Sequence, residues 1–438
     1  MAEARVEQDH HVIDVEALVR DLKVKLSDDL VLPPLSCIFK IPTILSRHNP
    51  DAYKPNAFSF GPFHHHNETL KRTEKIKYKY LLDLTSRLSD RRYNPCSMEP
   101  DTMLRTLTEE MNKVSKEARA HYAGPIDMNG NKFVEVLVLD GCFIIELFRK
   151  KAYEDLRDKD DPIFEMSCLL QFLFHDLIML ENQIPWVVLD ILFNLTFVTR
   201  IDKMPLIQLT TEFFGTIFST TQPSIDPQIL LSRPRPGKHI LDMLRNSLLW
   251  SYSDLNTANL YWTPMPSVTS LKEAGIEFKR GGNSKSILDI KFKNGVLEIP
   301  SLLIQETTEP LFRNLISLEQ CCLSYQPVIT SYAILLDNLI NTKDDVEILS
   351  QNGVLENWLN VEEATQFFNK LYTDTYVKEN YYLQLTDQVN KYCKRSWPKY
   401  RTVLMRDYFK HPWASISFAV AAFLVICAFV QTLFTIIK

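Results

Sequence analysis

The sequence predicts a mainly α-helical body carrying a small antiparallel β segment and ending in a single C-terminal transmembrane helix. Three observations lead there. Long apolar stretches recur with helical spacing while glycine is scarce, at 11 residues in 438. One stretch, Ile276 to Ile304, alternates apolar and polar residues and carries Asn294-Gly295, the signature of a tight hairpin turn. The last stretch, Trp413 to Lys438, holds no proline and no charge before its terminal lysine.

Taken in order, residues 1–30 form a polar lead in which Val12 to Leu26 has amphipathic helical spacing. Pro33, Pro34, Pro42, Pro50, Pro55 and Pro62 then keep residues 32–63 extended or turning. A helix is expected to start near Thr69, with Leu70, Ile76, Tyr80, Leu81 and Leu84 facing inward. Further helices are expected at 101–120, 132–153, 164–180, 185–197, 205–218 and 238–249, and after the β segment (275–304) at 309–323, 328–340, 361–372 and 377–394. The strongly apolar region 164–198 is interrupted by His175, Asp176, Glu181, Asn182, Gln183 and Asp190, so it reads as a core hairpin and not as a second span. The proline-rich stretch 223–236 is the best linker candidate inside a body of residues 31–411.

Residues 412–438 read as a membrane anchor, long enough to cross a hydrocarbon core of ~30 Å. Seven basic residues between Asp387 and His411 face two acids, and the opening MAEARVEQDHHVIDVEALVRDLKVKL lacks an apolar h-region. Both point to a tail-anchored, single-pass protein whose bulk faces the cytosol, with the lipid bilayer as one partner. A net charge of −5 excludes a dedicated nucleic-acid binder. Eight cysteines without C-x-x-C spacing predict small buried apolar side chains in place of a disulfide or zinc framework.

The densest cluster of chemistry-bearing residues is Phe58-Ser-Phe-Gly-Pro-Phe63 followed by His64, His65 and His66. Neighbouring side chains on a regular element point apart, so three adjacent histidines suit a packed or solvated loop better than a metal site, although an irregular loop could present two. His175 and Asp176 are adjacent on an apolar helix and are expected not to face each other. Glu181-Asn182-Gln183 reads as a helix end that caps backbone groups, and Cys142 in VLVLDGCFIIELF would need a histidine base brought near it in space. No G-x-S-x-G elbow, Walker loop, G-x-G-x-x-G or kinase set is present. Accordingly no residue is assigned as catalytic, cofactor-binding or metal-binding, and no cofactor is expected. An enzyme of unrecognised type would have to draw on His64, His65, Asp140, Cys142, His175 and Glu181.

Several ordered motifs resemble those of the plant domain-of-unknown-function family 247, also described as uncharacterised protein family 0481. They are Cys37-Ile-Phe-Lys-Ile-Pro42, Asn49-Pro-Asp-Ala-Tyr-Lys-Pro55, Phe58-Ser-Phe-Gly-Pro-Phe-His-His65, Leu137-Val-Leu-Asp-Gly-Cys-Phe-Ile-Ile-Glu146 and Asp176-Leu-Ile-Met-Leu-Glu-Asn-Gln-Ile-Pro185. Downstream come Leu271-Lys-Glu-Ala-Gly275, Gly295-Val-Leu-Glu-Ile-Pro300, Phe312-Arg-Asn-Leu315, Glu319-Gln-Cys321, Thr330-Ser-Tyr332 and Pro412-Trp-Ala. Where the family pattern has Ile-Gly-Pro-Tyr-His-His-Gly, this chain has Phe60-Gly-Pro-Phe-His-His-His66, which removes a phenol and a glycine. The resemblance implies a plant membrane protein, with relatives associated with grass self-incompatibility and with stress or developmental responses. It implies no activity and supplies no catalytic residues. The function expected is membrane-tethered recognition or signalling through an unknown protein partner, the alternative being an enzyme with a His/Cys/Asp pocket.

Overall fold

The computed structural model describes residues 14–27, 35–94, 97–220, 231, 237–249, 263–282, 286–322, 324–377, 379–394 and 412–437. The linker candidate 223–236, apart from residue 231, and the basic flank 395–411 lie outside them. The principal helices are α1 (Val15–Ser27), α2 (Lys71–Ser89), α3 (Pro100–Ala120), α4 (Gly130–Ala152), α5 (Ser167–Leu177), α6 (Trp186–Leu195), α7 (Leu206–Phe213) and α8 (Ile240–Leu249). After a β region come α9 (Thr308–Cys321), α10 (Val328–Leu339), α11 (Lys343–Gln351), α12 (Val361–Lys370), α13 (Leu383–Cys393) and α14 (Pro412–Ile437).

Helix α4 is the axis of the fold. It is apolar on nearly every face, and a helix of that kind holds only when surrounded. The α2, α3, α6 and α7 helices do so. Gly141 permits the closest approach: a Cβ there would lie 2.4 Å from Leu192 Cδ1 on α6. The N-terminus of α4 is capped by Asn129, whose side chain accepts from the Lys132 amide, and Arg149, Lys150 and Lys151 fill its last turn, where positive charge offsets the helix dipole. Helices α8 to α10 and α12 continue the same hydrophobic core toward the C-terminal side.

The β region departs from expectation. Strands β4 (Lys291–Lys293) and β5 (Val296–Ile299) form the antiparallel hairpin, with Asn294 and Gly295 both at positive φ (52° and 82°), the conformation that the Asn-Gly turn demands. However, β3 (Glu277–Arg280) pairs with the other edge of β5 in parallel, giving the order β3-β5-β4. The predicted all-antiparallel segment is therefore corrected to a mixed sheet, because β5 lies between β3 and β4, parallel to the first and antiparallel to the second. Two further parallel pairs, β1 (Ile38–Phe39) with β2 (Tyr122–Ala123) and β6 (Leu302–Ile304) with β7 (Leu355–Asn357), were not anticipated. Nor was α11: its sequence KDDVEILSQ is polar, with only Val346 and Leu349 as buried apolar residues, and its start is fixed by a capping box between Thr342 and Asp345.

The predicted transmembrane anchor is also corrected. The α14 helix forms, yet among the described residues no helix is long and apolar enough to cross a membrane. What stands in place of the anchor is a helix with exposed apolar side chains, among them Phe423, Leu424, Val425 and Phe429.

Candidate functional site

The sequence-flagged polar residues converge on a stretch of backbone. Residues 56–61 run through the core in irregular conformation, so their amides lack sheet or helix partners and must be satisfied by side chains. Asp176 accepts from the amides of Asn56, Ala57 and Phe58 at 2.7, 2.8 and 2.7 Å. Asn182 accepts from the Phe60 amide at 2.6 Å and donates to the carbonyls of Phe58 and Asp176. Asp140 accepts from the Gly61 amide at 2.9 Å. Gly61 sits at φ +72°, and a Cβ there would lie 2.7 Å from the Gln183 carbonyl and 2.8 Å from the Tyr122 hydroxyl, so only glycine fits. Phe58 and Phe60 stack on Phe143 of α4, with centroids 5.4 and 5.9 Å away.

The Glu181-Asn182-Gln183 turn between α5 and α6 supplies the rest of the clamp. Gln183 donates to the Leu177 and Met179 carbonyls and accepts from the Leu241 amide. Glu181 accepts from the Ile41 amide at 2.6 Å and lies 3.2 Å from His64 Nε2. His175 Nδ1 lies 2.8 Å from Asn56 Nδ2 and 3.2 Å from Asp176, so these adjacent residues do meet, contrary to the helix argument, at the end of α5.

Sequence reasoning missed a run of ion pairs along α4. Lys77 of α2, fully buried, donates to Asp140 at 2.7 Å and to the Ser59 carbonyl, and pairs with Glu74 at 2.6 Å. Arg87 reaches Glu146, Arg149 reaches Asp202 and Thr196, and Lys150 reaches Asp83 and Asp161, the latter also held by Tyr80. The available signal was four charged residues, Asp140, Glu146, Arg149 and Lys150, within the otherwise apolar stretch 136–150, each requiring a partner. Burial pushes Asp140 up to about 6 against the pull of Lys77. Across the core Glu319 plays the same role for α10, accepting from the amides of Ile329 and Thr330 and from Arg245.

These contacts define what the arrangement can do chemically. Cys142 is fully buried and its thiol is pushed up to about 12 by burial, which leaves it without the thiolate a nucleophile needs. Cys37, Cys142 and Cys322 are buried as expected, whereas Cys168 is exposed. His65 is lowered from its ordinary value by burial and by Lys132, and His66 Nε2 lies 3.0 Å from the Asp127 carbonyl oxygen. Among the described residues no group of three or more His, Cys, Asp or Glu side chains is placed to hold a metal ion.

The clefts lie elsewhere. One, of about 490 Å³, has Leu170, Phe174, Ile178 and Leu359 in its walls, with Trp358 at 66% exposure and Glu306 as its charged member. A second, of about 500 Å³, shares Gln305, Glu306 and Leu359 with it. A third, of about 540 Å³, opens between α2, α3 and α4. None of the six candidate residues lines any of the three.

Comparison with known proteins gives a consistent result. The family described as a plant protein of unknown function, DUF247, matches residues 38–427. The chain is similar to the UPF0481 protein At3g47200 of Arabidopsis thaliana, 25% identical over 92% of this chain and 86% of that relative. It is also similar to the putative UPF0481 protein At3g02645 of the same plant, 21% identical over 98% of this chain and 94% of that relative. No solved structure matches.

Proposed function

The chain belongs to the plant family of unknown function DUF247, and from that premise we propose that it is a non-enzymatic recognition or signalling protein acting through contact with a protein partner. One observation carries the reading: the charged and amide side chains that chemistry would need are spent on backbone and on one another. Asp140, Asp176 and Asn182 are each at most 2% exposed, and their oxygens are taken up by the amides of residues 56–61. A rigid scaffold of this kind presents surface clefts to partners. Location on the cytosolic side of a membrane is part of the same proposal, supported by the exposed apolar side chains of α14 and tested by fractionation with salt and alkaline washes.

Proximity labelling of the full-length protein in plant cells, beside a copy lacking residues 413–438, tests the reading. A recurrent set of protein neighbours supports it. Conversion of a plant metabolite by the purified chain, lost on His64→Ala or His175→Ala while the fold persists, overturns it in favour of an enzyme.

A further inference from the structure

The described side chains of helix α1, residues 15–23, are exposed except that of Ala17, which is half-buried. Asp14 caps the helix, its side chain accepting from the amides of Glu16 and Ala17. Val15, Leu18, Val19 and Leu22 fall at i, i+3, i+4 and i+7, one continuous stripe. All four are exposed, between 42% and 63%. A helix of 13 residues is marginal in water by itself and gains stability when its apolar face is packed. Such a stripe therefore calls for a receptor.

The body offers one of matching form. The cleft between α2, α3 and α4 has Leu81, Leu104, Val134 and Val138 in its walls, and its shape, a trough bounded by three helices, suits a fourth. The charged residues in its lining are Glu109 and Glu135, the second already touched by Lys132 at 2.8 Å. The α1 sequence from Arg20 onward is basic, RDLKVKLS, and the position of Lys23 borders the stripe. Apolar face and charge agree in sign.

We propose that α1 docks into the α2/α3/α4 trough of a second copy of this chain, so that the protein associates with itself by helix-in-groove exchange. The second copy is the chosen occupant because within a single chain the stripe stays exposed. This self-association goes beyond the recognition reading and does not depend on it.

Sedimentation of the full chain over a range of concentrations tests the proposal, in a nonionic detergent that covers α14. Wild type is expected to associate, and Leu18→Asp with Leu22→Asp is expected to weaken association by about 100-fold, as loss of a central apolar anchor does. Glu109→Lys with Glu135→Lys is expected to weaken it by about tenfold. Mixing that variant with a Lys23→Glu copy should restore part of the loss, a readout that a merely misfolded variant could not give. Wild type remaining monomeric up to about 100 µM, where a complex with Kd in the micromolar range would form, overturns the proposal. So does a Leu18→Asp/Leu22→Asp variant that associates like wild type, or cross-links joining α1 to the trough of its own chain at every dilution. The proximity-labelling result is read separately: partners other than this chain can persist in the α1 variant, which keeps the two outcomes distinct.

Discussion

Helices α4 and α1 invert one another. The α4 helix carries Asp140, Glu146, Arg149 and Lys150 and is buried almost throughout; α1 carries a clean apolar stripe and leaves it in the open. Counting apolar residues does not decide burial. A charged residue is tolerated in the core when geometry supplies its counter-charge, as Lys77 does for Asp140, and an apolar one is left outside when nothing nearby has a complementary shape. The same contrast separates the two clamps from the clefts: Asp176 and Glu319 are bound to amides and closed to solvent, while Trp358 at the rim of its cleft faces it.

The largest effect that would break this comparison is expected at the Lys77–Asp140 pair. Asp140→Ala leaves a buried ammonium with fewer partners and orphans the Gly61 amide, and is expected to cost about 3–5 kcal/mol in chemical denaturation. Replacing both residues, with Lys77→Met and Asp140→Leu, should recover part of that loss. A double variant no more stable than the single one would mean that the Gly61 contact, and not the charge, dominates.

The next effect is a pH dependence at His239, which is buried against the Cys37 carbonyl oxygen and accepts from the Asp242 amide. Burial lowers it from 6.5 to about 4. Between these values the unfolded chain binds more protons than the folded one, so stability falls as pH drops from about 6.5 to about 4, by on the order of 3 kcal/mol. Asp140, raised to about 6, acts in the opposite sense, its contribution falling as pH rises from about 4 to about 6. Stability curves for wild type and His239→Gln separate the two: the variant should lose the acid-side decline and keep the Asp140 trend. Parallel curves would refute the assignment.

A smaller loss is expected at the clamp. Asp176→Asn keeps the shape but presents one carbonyl oxygen where two carboxylate oxygens served three amides, and should cost about 2 kcal/mol. Hydrogen exchange at Ala57 and Phe58 should rise with it; protection unchanged at both amides would show that the clamp is not what holds them.

Much of this organisation was written locally, and some was not. The helices α2 to α10 were legible because their apolar spacing is a property of consecutive residues, and the β4–β5 turn was legible in two letters. Pairings that close over long distances were not. Asp176 and Asn56 are 120 positions apart, and Lys77 and Asp140 are 63 apart, so neither residue type nor spacing announces the partner. The parallel pairing of β3 with β5 is hidden for a related reason: alternation specifies a strand but not its neighbour. Polar residues at 140, 176 and 181–183 stand out in the sequence as breaks in apolar runs, and the structure supplies what they hold.

The smallest expected effect sharpens the comparison most. In α1, Leu18→Asp with Leu22→Asp should change the unfolding free energy of the dilute chain by less than about 0.5 kcal/mol, since exposed positions free of packing contribute little. The same change inside α4 would be ruinous. The measurement must be made well below the concentration at which copies associate, because binding to the native state alone raises apparent stability by mass action. If the variant instead loses several kcal/mol at every dilution, the stripe is packed within its own chain, and α1 belongs with α4 as a core helix. If the loss appears only as concentration rises, it measures the second copy directly, and the exposed stripe is an interface waiting for its trough.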